Sequence, residues 1–91
     1  MYEITAYTRA QAARLGVEVR HSSTKTKKID VFRDGKKIAA VGGAGYSDYP
    51  TYMKSHGKAY ADNRRRLYKL RHEKDRHEKW SAGYLADQLL W

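Results

Sequence analysis

The sequence predicts an α+β fold: a three-stranded antiparallel sheet packed against three or four short helices. Three observations carry this. Asp34-Gly35 lies between two strand-like runs, Lys28–Arg33 and Lys37–Val41, and Asp-Gly in that setting is a strong hairpin signal because Gly accepts the positive φ of a tight turn. Val17-Glu18-Val19-Arg20 alternates apolar and polar with the period of a half-buried strand. The segments on either side carry helix punctuation at both ends.

In chain order, Thr8-Arg9-Ala10-Gln11 fits a capping box, and Gly16 sits where a left-handed cap would end a helix over Arg9–Leu15. The strand Val17–Arg20 follows, then a polar Ser22–Lys28 loop, then the hairpin. Val17, Val19, Ile29, Val31 and Ile38 form the expected apolar face of the sheet. Gly42-Gly43-Ala44-Gly45 breaks the strand pattern. Ser47 or Asp48 can cap a short helix that tolerates Pro50 in its first turn and ends at Gly57. Tyr60–Lys74 has helical composition. Tyr60, Leu67, Leu70 and the stem of Arg64 share one face, with Arg65, Arg66, Lys69, Glu73 and Arg76 turned away. Ser81 begins a last helix whose apolar side is Tyr84, Leu85, Leu89 and Trp91, weakened slightly by Gly83. No internal repeat and no domain-separating linker is visible, so residues 1–91 read as a single domain.

The chain has 91 residues, 19 Lys+Arg against 10 Asp+Glu, a net charge of +9, and no cysteine. Disulfides, thiolate catalysis and cysteine-based zinc sites are excluded. No run of about 18 apolar residues exists to span a bilayer, and the N-terminal segment lacks the pattern of a secretory signal. The expectation is a soluble, intracellular type of protein. A balance this basic points to an anionic partner, most often nucleic acid. The charge is concentrated: Arg20–Lys37 holds seven cations and two anions, and Arg64–Lys79 holds eight cations and three anions, each block netting +5.

Gly45-Tyr46-Ser47-Asp48-Tyr49, Arg64-Arg65-Arg66-Leu67-Tyr68-Lys69-Leu70-Arg71-His72, Ser81-Ala82-Gly83-Tyr84-Leu85-Ala86 and the ending Leu89-Leu90-Trp91 together follow a pattern: G-Y-x-D-Y, R-R-x-x-Y-x-x-R-H, S-x-G-x-x-A, L-L-W. In this the chain resembles a family of short basic proteins of unknown function found in large DNA viruses and tailed phages. The resemblance covers Lys28 to Trp91. It implies a viral or phage source and a compact domain, and it supplies no activity or site.

Several constellations compete for function. Cations of the Arg64–Lys79 helix suit phosphate contact, against which stand the helical neighbours Lys69/Glu73 and Glu73/His77 of an ordinary solvated face. Lys25, Lys27, Lys28, Lys36 and Lys37 would form a basic hairpin tip able to enter a groove, or simply protect a sheet edge. Tyr46, Tyr49 and Tyr52 could stack on unpaired bases, but filling the space between sheet and helices is the favoured reading. The glycine run lacks the Gly-Lys-Ser/Thr ending of a phosphate loop. The four histidines offer at most paired ligands, short of the about four that a closed metal site needs. The acids are scattered and no nucleophile elbow surrounds a serine, so neither enzyme activity nor a cofactor or metal is expected. The Ser81–Trp91 end is expected to dock as a helix, with a Leu/Trp patch for self-association or a protein partner as the alternative.

These readings converge on a small viral or phage accessory protein of the cytoplasm or nucleus of an infected cell, or of the virion. It would bind nucleic acid, DNA or RNA, by phosphate contacts from Arg65, Arg66, Lys69 and Arg76, assisted by Lys27, Lys28, Lys36 and Lys37. The alternative is a protein-binding module, a minor virion component or an inhibitor of a host protein. Oligomeric state and any membrane role find no support in the sequence.

Overall fold

A computed structural model describes residues 2–91. The elements run α1 (Ala6–Leu15), β1 (Glu18–His21), β2 (Lys27–Arg33), β3 (Lys36–Gly43), α2 (Tyr49–His56), α3 (Lys58–Arg71) and α4 (Ala82–Leu90). The strands form one antiparallel sheet in the order β1-β2-β3. The α+β architecture is therefore as expected, with four helices. None of them is long and apolar enough to cross a membrane among the described residues.

The hairpin turn has positive φ at both Asp34 (52°) and Gly35 (78°), the backbone that the Asp-Gly pair favours. The register beyond it departs from expectation. Continuing the two-residue turn would set Ile38 opposite Val31. Instead, Val31 pairs with Ala39 and Phe32 with Lys37, a bulge that leaves Ile38 as the extra residue. Ile38 is thus exposed rather than in the core, and Val41 enters the core opposite Ile29. Val19, Ile29, Val31 and Val41 pack with Ile4, Ala12, Leu85, Leu89 and Leu90, with Val17 half-buried beside them. The core thus lies between the sheet and the α1/α4 pair.

The start of α1 is a second correction. Its N-cap is Thr5, whose hydroxyl accepts from the Thr8 N–H, and Gly16 ends the helix at φ 75°. Thr8 is fully buried and donates instead to the Leu89 carbonyl at 2.8 Å, while Gln11 Nε2 donates to the Gln88 carbonyl at 3.0 Å. The two residues that fit a capping box at the head of α1 satisfy the free carbonyls at the tail of α4. A helix leaves about four such carbonyls without intrahelical partners.

Asp48 caps α2 by accepting from the Thr51 N–H, and Ser81 caps α4 by accepting from the Tyr84 N–H. Gly83 has a packing reason: a Cβ there would collide with the Asp75 carbonyl of the turn segment that precedes α4. Helix α3 ends at Arg71, short of Lys74, and its orientation is the third correction. Leu70 is 64% exposed, Leu67 is exposed beside it, and Tyr60, itself partly exposed, turns to stack on His56 of α2. The inward side carries buried Ala61 with half-buried Arg64, Arg65, Tyr68 and Lys69. An apolar periodicity cannot find such a face, because it is built from aromatic stacks and ion pairs.

Thr8→Val keeps the shape of the side chain but leaves the buried Leu89 carbonyl without its donor. The expected cost is about 1–3 kcal/mol in urea unfolding. An unchanged midpoint would show that the hydroxyl does not hold α1 to α4.

Candidate nucleic-acid interface

Two of the expected phosphate-binding cations face inward. Lys28 is buried, and its Nζ lies 3.0 Å from Asp48 Oδ2, the side chains being only 3% and 1% exposed. Tyr2 donates its hydroxyl to the same carboxylate oxygen at 2.7 Å and places its ring 4.9 Å from the Lys28 nitrogen. Lys28 projects from β2 opposite Gly42. A Cβ at Gly42 (φ 81°) would come within 2.7 Å of Leu90 Cδ1 and 3.1 Å of the Lys28 stem, so only glycine lets both pack there. The sequence puts Lys28 at an exposed basic tip; the structure makes it the internal counter-charge of a helix cap. Lys69 is the other. Its Nζ meets buried Asp87 at 2.8 Å, and Arg76 reaches Asp87 at 3.7 Å and Glu73 at 2.8 Å.

The other expected cations are dispersed. Arg65 lies with its guanidinium 3.6 Å from the centroid of the Tyr49 ring. Arg66 bonds Asn63 on the exposed side of α3. Lys37 lies 3.3 Å from Asp30. Lys36 is exposed beside the hairpin turn. Of the eight, Lys27 and Lys28 border the two hollows described next.

Two hollows adjoin on the surface. One, of about 620 Å³, lies among the β1–β2 loop and the start of α2 and is bordered by Lys25, Lys27, His21, Ser23 and Tyr46. The other, of about 360 Å³, lies between the end of β3, α3 and α4 and is bordered by Arg64, Arg71, Tyr46, Tyr52, Tyr68 and Trp91. Both are lined by Lys28, Tyr46 and Ser47, so they meet there as one groove. Among the described residues, neither lining contains an Asp or Glu side chain. Nor does any carboxylate pair with Lys25, Lys27, Arg64 or Arg71 among them. The groove therefore joins the two basic blocks of the sequence through Lys27, which the sequence reading names as a ligand, and through Lys25, Arg64 and Arg71, which it does not.

The aromatic wall is layered. Tyr68 stacks on Trp91 with centroids 4.4 Å apart and planes 10° off parallel, and His72 stacks on Tyr68 at 4.3 Å. Tyr52 leans on Trp91 at 6.1 Å and carries the Arg64 guanidinium 5.4 Å from its own centroid. Burial pushes the Tyr68 hydroxyl up from its ordinary value, with the charge of Asp87 adding to it. No family model, curated protein or solved structure matches this chain.

No cluster of three His, Asp or Glu side chains with the makings of a metal site is present among the described residues. His72 and Asp75 approach to 3.8 Å, and His77 bonds Glu73 at 2.6 Å, each as an exposed or half-exposed pair. The residues the sequence reading missed, Arg64 and Arg71, gave one signal. They are seven apart, two helical turns, and so lie along one face of α3.

Burial alone would raise the Asp48 carboxyl, but the Thr51 N–H, the Tyr2 hydroxyl and the Lys28 charge outweigh it and hold it below 3.8. A carboxyl lowered in the folded state contributes stability that is complete above its unfolded value and is lost as pH falls through the folded value. Asp48→Asn keeps a capping acceptor but strands the Lys28 charge, and about 3–5 kcal/mol is expected to go. Below pH about 4 the wild-type protein should lose stability more steeply than the variant, read by urea unfolding across the acid range. Parallel acid limbs would contradict the assignment.

Proposed function

We propose that this chain binds nucleic acid along the groove, as an accessory protein acting by binding rather than catalysis. One observation carries the reading: the groove brings together cations that pair with no Asp or Glu side chain, Lys25 and Lys27 from one basic block and Arg64 and Arg71 from the other, with no Asp or Glu side chain in its lining among the described residues. Cations so placed neutralise phosphates and release counterions, a term that does not depend on sequence. The two arginines add forked donors suited to phosphate oxygens. The viral or phage setting, in the infected cell or the virion, enters this proposal only through the resemblance of the sequence pattern.

A second reading has its own support. Leu70, Leu67 and Tyr60 are exposed on the outer side of α3, with Met53 exposed on α2. Such a patch suits a protein partner.

The two readings separate on salt. Anisotropy of a labelled oligonucleotide should show binding of about micromolar strength at 50 mM salt that weakens steeply by 200 mM. Lys27→Ala with Arg71→Ala should weaken it further and lower the salt slope by about two, one for each lost phosphate contact. Lys36→Ala with Arg66→Ala, outside the groove, should change the slope less. Failure to bind at the lower salt would overturn the proposal and leave the α3 patch as the docking surface.

A further inference from the structure

The smaller hollow differs in chemistry from the rest of the groove. Its walls are Tyr46, Tyr52, Tyr68 and Trp91, and its cations are Arg64 and Arg71 from α3, with Lys28, already paired to Asp48, at its base. At about 360 Å³ it lies at the small end of ligand sites, which run from about 300 to 1,000 Å³. That suits one flat heterocycle and its sugar better than the side of a duplex.

Tyr46 is the telling residue. It is 79% exposed, a costly place for a large aromatic ring, yet its position is fixed by the backbone beneath it. A Cβ at Gly43 would lie 2.6 Å from the Tyr46 ring, so the ring rests directly on a glycine. The Tyr46 N–H is in turn held by the Gly43 carbonyl at 3.1 Å. The protein thus holds an exposed aromatic face where the two hollows meet, opposite a stack of other rings.

We infer that this hollow takes a single unpaired base of a single-stranded nucleic acid. The base stacks against the aromatic wall at Tyr46. The strand continues past Arg64 and Arg71 on one side and Lys25 and Lys27 on the other. The inference rests on the groove being a nucleic-acid site and adds the form of the ligand. In a duplex both faces of each base are covered by its neighbours, and exposing one costs unstacking and unpairing. A single strand offers free π-faces that aromatic side chains can take up with little regard to sequence.

The test compares three probes of equal length: an oligo-dT strand, an abasic strand with the same phosphates but no bases, and a duplex. Oligo-dT should bind tighter than the abasic strand by on the order of tenfold to a hundredfold, the range that base stacking on an aromatic supplies, and tighter than the duplex. Tyr46→Ala should bring oligo-dT down to the abasic strand, and Tyr46→Phe should restore the difference. The thermal midpoint of Tyr46→Ala should match the wild type, since the ring is exposed. Equal binding of oligo-dT and the abasic strand, or a preference that survives Tyr46→Ala, would overturn the base pocket while leaving a phosphate-binding groove. Absence of binding to all three would overturn the groove reading and this inference with it.

Discussion

The arrangement of this protein turns on the Lys28–Asp48 pair. The pair joins β2 to the head of α2, and the same carboxylate caps that helix and accepts the Tyr2 hydroxyl. Two buried charges are expensive to desolvate, and a pair without further partners returns little net stability. Here the oxygens of Asp48 are served three ways. The arrangement fixes where the helical hairpin α2–α3 attaches to the sheet. It also sets Ser47 and Tyr46, the residues just before Asp48, at the centre of the groove.

Asp87 does the same at the other end. Its carboxylate, buried on α4, draws in Lys69 from α3 and Arg76 from the turn segment. Tyr68, one residue before Lys69, then falls on Trp91. With Lys69 directed inward, the helical period carries Arg65, one turn earlier, inward as well, and Leu70 is left outside. Arg64 and Arg71, two turns apart, lie on a different side of α3 from Lys69 and border the groove together. The acidic residues of a basic chain thus decide which of its cations remain available.

Much of the fold was legible because it rests on local chemistry. The Asp34-Gly35 turn, Gly16 at the end of α1, Asp48 and Ser81 as caps, and the run of strands all follow from neighbouring residues. The misreadings share a different cause. Thr8 fits a local capping pattern, yet its hydroxyl is taken by a carbonyl 81 residues away. Ile38 follows the period of its strand until one bulge shifts the register. The face of α3 was inverted because apolar residues are normally the ones that turn inward, whereas here the inward positions are set by Asp87, Trp91 and Tyr49. For the site, the concentration of charge in two blocks was visible, and Lys27 was named. Which cations stay free depends on pairings between distant segments. Lys28 has the composition of an exposed ligand and the position of an internal one.

The apolar core is made by the sheet, α1 and α4 together with Ile4 and the flanking aromatics, and no residue of α2 or α3 belongs to it. The helical hairpin contributes Tyr49 and Ala61 to the buried interior but is held mainly by ion pairs and stacked rings. Stability is then graded along the chain. Segments with little apolar burial open locally at a lower free energy than the strands they rest on. Amide hydrogens of α2 and α3 are therefore expected to exchange with solvent through openings that leave β2 paired on both sides. The groove has one wall drawn from each class, a rigid margin on β3 and α4 and a margin on α3 that can part from it while the sheet remains folded.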